Sequence, residues 1–348
     1  MFEYYTTPAP TPARTYSDLQ LGSQFRHHGT DDLDLRGSQI ALVGLDPAAA
    51  DAVRERLFGF APVRPFQTDF VDLGNARTTE PTLLIPLLRE LLDGRVQPLV
   101  IGGDAPFFSA LFKTAQQTHG AVRATLVAPE LPLGWDGHPR PLNEIWLHDD
   151  LRHFALLGYQ QHRTPSDLLT LARERHFDLM RLSDLNGNVD RSEPLVRQAD
   201  LFYFQLDAVR AVDAPGRHRP SPAGLNHLNA CQLFRYAGMS DGLRLLGIHG
   251  LVPDQDADGR TADAVAQYLW YYLEGCADRK GDYPTGTDHM TEYVVAHPQG
   301  YELRFWKSER SGRWWLQPEA SETLIPCFSD DYERAARGEL PERWLQFQ

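Results

Sequence analysis

The chain has 348 residues, of which 42% are hydrophobic and 23% charged, with 25 Pro and 27 Gly. This is the composition of an ordinary folded protein of one or two domains, which excludes a disordered or collagen-like chain. Its 34 Lys and Arg against 47 Asp and Glu leave a formal charge of −13. A surface that acidic repels phosphate backbones and anionic lipid, so neither nucleic acid nor a membrane is an expected partner. No apolar run approaches the roughly eighteen residues needed to cross a bilayer, and the start, Met1 to Tyr5, lacks a basic stretch followed by an apolar one. A cytoplasmic location is therefore expected. The cysteines, Cys231, Cys276 and Cys327, are too far apart in sequence for a CxxC clasp and read as buried free thiols.

Residues 1–37 contain TPAPTPAR and HHGTDD, a polar and Pro-rich lead-in expected to be an irregular arm. Gln39 to Gly44 then reads as a buried strand, and Pro47 to Phe58 as a helix with Ala49, Val53 and Leu57 on one side. The pattern repeats. Helices are predicted over 81–92, 106–118, 168–175, 194–199, 226–237 and 261–274, alternating with strands at 97–101, 124–128, 177–182, 201–206 and 245–249. Apolar strands alternating with amphipathic helices imply a three-layer α/β/α sandwich with a mainly parallel, doubly wound sheet over residues 38–280. The segment 281–348 changes character: Tyr301–Trp306 and Arg313–Gln317 flank a turn and read as a β-hairpin, with a short helix at 330–337. This extension is expected to pack on the same domain.

In an open α/β sheet, ligands bind beyond the carboxyl ends of the strands. The residues there are Gly102 to Ala105, Pro129 to Pro132, Gln205 to Arg210 and His249 to Pro253. Gly102-Gly103-Asp104 fits either a phosphate cradle or a tight turn whose Asp caps backbone N–H groups, and the turn is favoured. Asp207 and Arg210 are expected to form a buried ion pair at their corner rather than a ligand site. His148 to His153 reads as a solvated polar segment, because an i, i+5 spacing does not place both imidazoles on one helix face. His227 and His249 are nearer the crevice, and either is a weak candidate for acid–base catalysis. Trp270, Tyr271, Tyr272, Trp306, Trp314 and Trp315 read as packing residues, with an aromatic cage for a small cationic ligand as the alternative.

The corners IGGDA (101–105), APELP (128–132), QLDAVRAVDAPG (205–216), AGLNHLN (223–229) and GLVPDQDADGRTA (250–262) resemble, in order and spacing, those of the ureohydrolase superfamily: arginase, agmatinase and formimidoylglutamase. CQLFRYAGMSD (231–241), AQYLWYYLEG (266–275), RWW (313–315), PCFSDDY (326–332) and LPERW (340–344) look like bacterial formimidoylglutamase-like proteins of that superfamily. The resemblance implies an arginase-like fold, a homo-oligomer, and hydrolysis of a guanidinium or formimino group by hydroxide bridging two Mn²⁺ ions. Carried over residue by residue, it places the family's metal ligands on Ala105, Ala128, Glu130, Pro132, Gln205, Asp207 and Arg210. Only Asp207 keeps a ligand's identity, and Glu130 is a carboxylate in place of a His. The substrate-orienting residues fall on Asn229 and Gly250. One or two carboxylates beside a guanidinium cannot offset a charge of +4, so the expectation is that no metal cofactor is held. The reading that follows is a non-catalytic binding or scaffold subunit with a small cationic ligand or a protein partner. The alternative is a formimidoylglutamase-like metallohydrolase with an altered Mn set.

Overall fold

The computed structural model describes residues 2–10, 16–29, 33, 35, 38–63, 69–134, 140, 142–146, 148–284, 286–298, 300–319 and 321–345. Parts of TPAPTPAR and HHGTDD (11–14 and 30–32) lie outside the described residues. The main sheet is built from β1 (Thr6–Thr7), β2 (Phe25–His27), β3 (Ser38–Gly44), β4 (Asp69–Ala76), β5 (Gln97–Ile101), β6 (Val122–Val127), β7 (Leu151–Tyr159), β8 (Asp178–Arg181), β9 (Leu201–Gln205) and β10 (Leu245–His249). Their spatial order is β1-β4-β3-β5-β10-β9-β6-β7-β8, with β2 also paired to β4. Only β1 runs antiparallel to its neighbour.

Helices α1 (Pro47–Leu57), α2 (Ile85–Asp93), α3 (Phe107–His119), α4 (Asn143–Trp146), α5 (Ser166–Glu174), α6 (Leu182–Gly187), α7 (Glu193–Arg197), α8 (His227–Met239) and α9 (Arg260–Ala277) cover the sheet. Alternation along each strand divides the core. Ile40, Leu42, Phe202 and Phe204 pack with α1, α7, α8 and α9 on one face. Ala41, Val43 and Tyr203 pack with α2, α3 and α5 on the other. Strands buried on both faces read as continuous apolar runs, which is why Gln97–Ile101 and Leu245–His249 are found at their expected bounds. The three-layer sandwich is therefore the architecture.

Three expectations are corrected. The N-terminal arm is not wholly irregular, because Thr6–Thr7 and Phe25–His27 add strands along β4. The eight-residue β4 is itself absent from the predicted elements. Its Asp72 is buried, and its carboxylate is paired at 2.9 Å with the buried Arg54 of α1, so an ion pair gives a core strand a polar sequence. Likewise His148–His153 is solvated only in part: His148, Asp149 and Arg152 are exposed, but Leu151 and His153 are not. The segment runs into β7, and His153 is buried with Nε2 2.8 Å from the Asp178 carboxylate on β8.

The C-terminal hairpin is the central pair of a separate antiparallel sheet, β11 (Met290–Ala296), β12 (Glu302–Ser308), β13 (Trp314–Gln317) and β14 (Ile325–Cys327), followed by α10 (Ser329–Ala336) and α11 (Glu342–Leu345). It has its own small core of Leu303, Phe305, Leu316 and Trp344. Arg197 of α7 fastens it to the sandwich: the guanidinium lies 4.3 Å from the centre of the Trp315 ring and donates to the Trp314 carbonyl at 3.2 Å.

Candidate functional site

Strands β5, β10, β9 and β6 are consecutive in the sheet, so their carboxyl ends form one crevice. Gly102 and Gly103 leave β5 with φ of +96° and +87°, and a Cβ on Gly102 would stand 2.8 Å from the Asp46 nitrogen. The tight-turn reading of this corner is right, but the capping role given to Asp104 is not. Asp104 is exposed and α3 begins without a side-chain cap, while the Asp104 carbonyl accepts from the Phe107 N–H and from the Tyr203 hydroxyl, each at 3.0 Å.

The positions that the resemblance assigns to metal ligands lie at this end of the sheet. Ala105, Ala128 and Pro132 carry no donor atom, and Gln205 ends β9 in register with His249. Glu130 faces guanidinium groups: Arg140 and Arg219 each come within 3.3 Å of its Oε1, and Arg163 within 3.9 Å of its Oε2. Asp207 is half-buried. Burial raises its pKa above the ordinary carboxylate value, although the charges of Arg217, Arg219 and Arg163 act to lower it. The expected Asp207–Arg210 pair does not form. Arg210 turns instead to Asp213, Nε to Oδ2 at 2.6 Å, since Asp213 follows it within the same loop.

Arg217 was not among the residues singled out by sequence. It is fully buried, donates to the Leu206 carbonyl at 2.8 Å and to the Ser221 carbonyl at 3.4 Å, and leaves its Nε without an acceptor. Nothing in RHRP, the local sequence, separates a buried arginine from a surface one. Among the described residues no three His, Cys, Asp or Glu side chains stand together as a metal site.

The two histidine candidates differ. Nε2 of His227 lies 2.9 Å from the Gln267 side chain of α9 and 3.5 Å from the Cys231 sulfur, so the ring is engaged in helix packing. His249 is buried in the crevice, stacked on Tyr203 with centroids 4.8 Å apart, and its Nδ1 has no partner. Burial pushes its pKa down to about 3, so the imidazole is neutral at physiological pH. Asn229 donates to the Leu185 and Asn186 carbonyls, while Gly250 turns with φ of +100° beside Leu206. The aromatic residues are absorbed by packing: Tyr272 and Trp315 are fully buried, and Trp314 stacks on Tyr332 at 4.9 Å. Among the described residues the crevice presents guanidinium groups around Glu130.

A mainly parallel sandwich with a crevice at the carboxyl ends of its strands is the fold of solved formimidoylglutamases and of an arginase-superfamily protein. The chain is similar to formimidoylglutamase of Staphylococcus aureus (strain MSSA476), at 28% identity over 138 residues, which is 38% of this chain and 44% of that protein. The match thus spans less than half the length of this curated relative. Formiminoglutamase of Trypanosoma cruzi with Mn²⁺ superposes with a TM-score of 0.64 at 18% identity, over 72% of this chain and 97% of that one. Formimidoylglutamase of Bacillus subtilis gives a TM-score of 0.66 at 16% identity, over 78% and 96%. No family model matches the chain. These findings correct the expectation of no cofactor: formiminoglutamases that share the fold carry Mn²⁺, which favours a metal over none. No helix among the described residues is long and apolar enough to cross a membrane.

Proposed function

We propose that this chain is a formimidoylglutamase-like protein that takes a small molecule into the crevice at the ends of β5, β10, β9 and β6. The observation that carries this reading is that two buried polar atoms at this end of the sheet have no partner, Nδ1 of His249 at the end of β10 and Nε of Arg217 in the loop after β9. An unpaired buried polar group costs about 1–3 kcal/mol, so its persistence at a strand-end crevice marks a place where a ligand supplies the missing partner.

The relatives favour hydrolysis of a formimino or guanidino C–N bond as the activity, with Mn²⁺ as the metal by analogy with the Trypanosoma cruzi protein. A bound divalent ion would supply an activated water. The two-ion set is not fitted by the described residues, because Glu130 is held by guanidinium groups and no three His, Cys, Asp or Glu side chains stand together. A metal in this protein therefore needs a ligand set different from that of its relatives. A second reading, a subunit that binds a small molecule without hydrolysing it, is supported by the pairing of Glu130 with guanidinium groups.

One preparation separates the two readings. Metal content is measured as purified and after Mn²⁺ loading, N-formimino-L-glutamate and guanidino acids are titrated by calorimetry, and formamide, urea and ammonia are assayed. Metal-dependent release that is lost in Asp207→Asn supports the hydrolase. Saturable binding without release supports the binding subunit, and absence of any binding overturns both.

A further inference from the structure

The geometry points to a seat for a small oxyanion, a carboxylate or phosphate, at the corner between β6 and β9, with Glu130 as its built-in competitor. This inference rests on the crevice reading and gives the ligand's chemical class. Among the described residues, Arg163, Arg217 and Arg219 stand near the carboxylates of Glu130 and Asp207, and Arg140 also reaches Glu130. Like charges gathered on one carboxylate repel unless a further anion shares them.

Two features point to an anion beyond Glu130 itself. Arg163 is largely withdrawn from solvent, yet its ion pair with Glu130 is long, at 3.9 Å. Arg217 is wholly buried and keeps an unused Nε–H, with Asp207 and Arg163 as charged neighbours. Guanidinium N–H donors match carboxylate and phosphate oxygens, so the unused buried Nε–H of Arg217 beside the loosely paired Arg163 favours that class of ligand. Glu130 occupies part of the same seat, and a ligand oxyanion must displace or share it.

The experiment titrates the full chain with inorganic phosphate and, separately, with glutarate, by calorimetry at low and high NaCl. Saturable binding that weakens with salt is expected for at least one of the two, and which one binds decides between phosphate and carboxylate. Arg219→Gln is expected to weaken binding about tenfold, and Glu130→Gln to tighten it by a similar factor because the competitor is gone. A merely structural Glu130 would not produce tightening. Because neither probe contains a formimino group, this seat can fail while formimino compounds still bind, or hold while they do not. No binding of either anion to the parent chain and to a cooperatively folded Glu130→Gln variant overturns the inference, as does weaker binding in Glu130→Gln.

Discussion

Gly238 of α8 and Gly275 of α9 meet backbone to backbone: a Cβ placed on Gly275 would stand 3.0 Å from the Gly238 Cα and 2.3 Å from the Arg235 carbonyl oxygen. The two helices form the layer that carries Asn229 and His227 past the crevice, so their approach sets where those side chains stand. Gly275→Ala forces the helices apart and is expected to lower stability by about 1–3 kcal/mol, as overpacking does. Urea unfolding followed by circular dichroism measures it, and an unchanged midpoint would contradict so close a crossing.

Arg343 joins the His153–Asp178 pair, donating to the Asp178 carboxylate and to the Gln198 side chain. Burial alone would raise the pKa of Asp178, but the Arg343 charge and the bonds from His153 and Arg343 hold it well below the ordinary carboxylate value. Asp178→Ala removes the carboxylate that faces both His153 and Arg343 and is expected to cost about 3–5 kcal/mol, the range for breaking a buried ion pair. Denaturant titration of Asp178→Ala beside Asp178→Asn tests this, with the asparagine variant expected to lose less because it still accepts a hydrogen bond.

His249 sets an acid limit on stability. Its pKa is depressed from 6.5 to about 3 by burial, so the unfolded chain takes up a proton between those values that the folded chain refuses. The contribution is fully present above about pH 6.5 and declines as pH falls toward 3, with a slope of about 1.4 kcal/mol per pH unit where one proton is taken up on unfolding. His249→Phe removes that component. Unfolding midpoints measured from pH 7 down to 4 should fall less steeply in the variant, and parallel curves would sink the assignment.

The C-terminal sheet is expected to loosen before the sandwich. Arg197 holds it through the Trp315 ring and the carbonyls of Trp314 and Cys327. Arg197→Met keeps the bulk and loses those bonds, so amide exchange over 290–327 should rise while β5, β9 and β10 stay protected. Uniform exchange across both sheets would show that they unfold as one unit.

Some of this was legible in the residues themselves. Leu245–His249 and Gln97–Ile101 are apolar throughout, and a doubly covered parallel strand has no polar face to confuse the pattern. Asp69–Ala76 and Leu151–Tyr159 were hidden for the opposite reason. Asp72 and His153 interrupt the apolar signal, and only the arrival of Arg54 and Asp178 from distant parts of the chain makes them core residues. The C-terminal hairpin was visible as alternation about a turn, whereas its outer partners β11 and β14 depend on pairings that no local pattern encodes.

At the crevice the same division holds. Sequence alone determined that Ala105, Ala128 and Pro132 offer no donor side chain, because chemistry absent from a residue cannot be restored by folding. Which charges face each other was decided by tertiary structure. Arg210, three residues after Asp207, turns away to Asp213, while Arg163 and Arg219 reach Glu130 from remote loops. Proximity along the chain says little about such pairs, since Coulomb energy depends on distance and burial in space, and both come into being only when the strands and their connecting loops have packed.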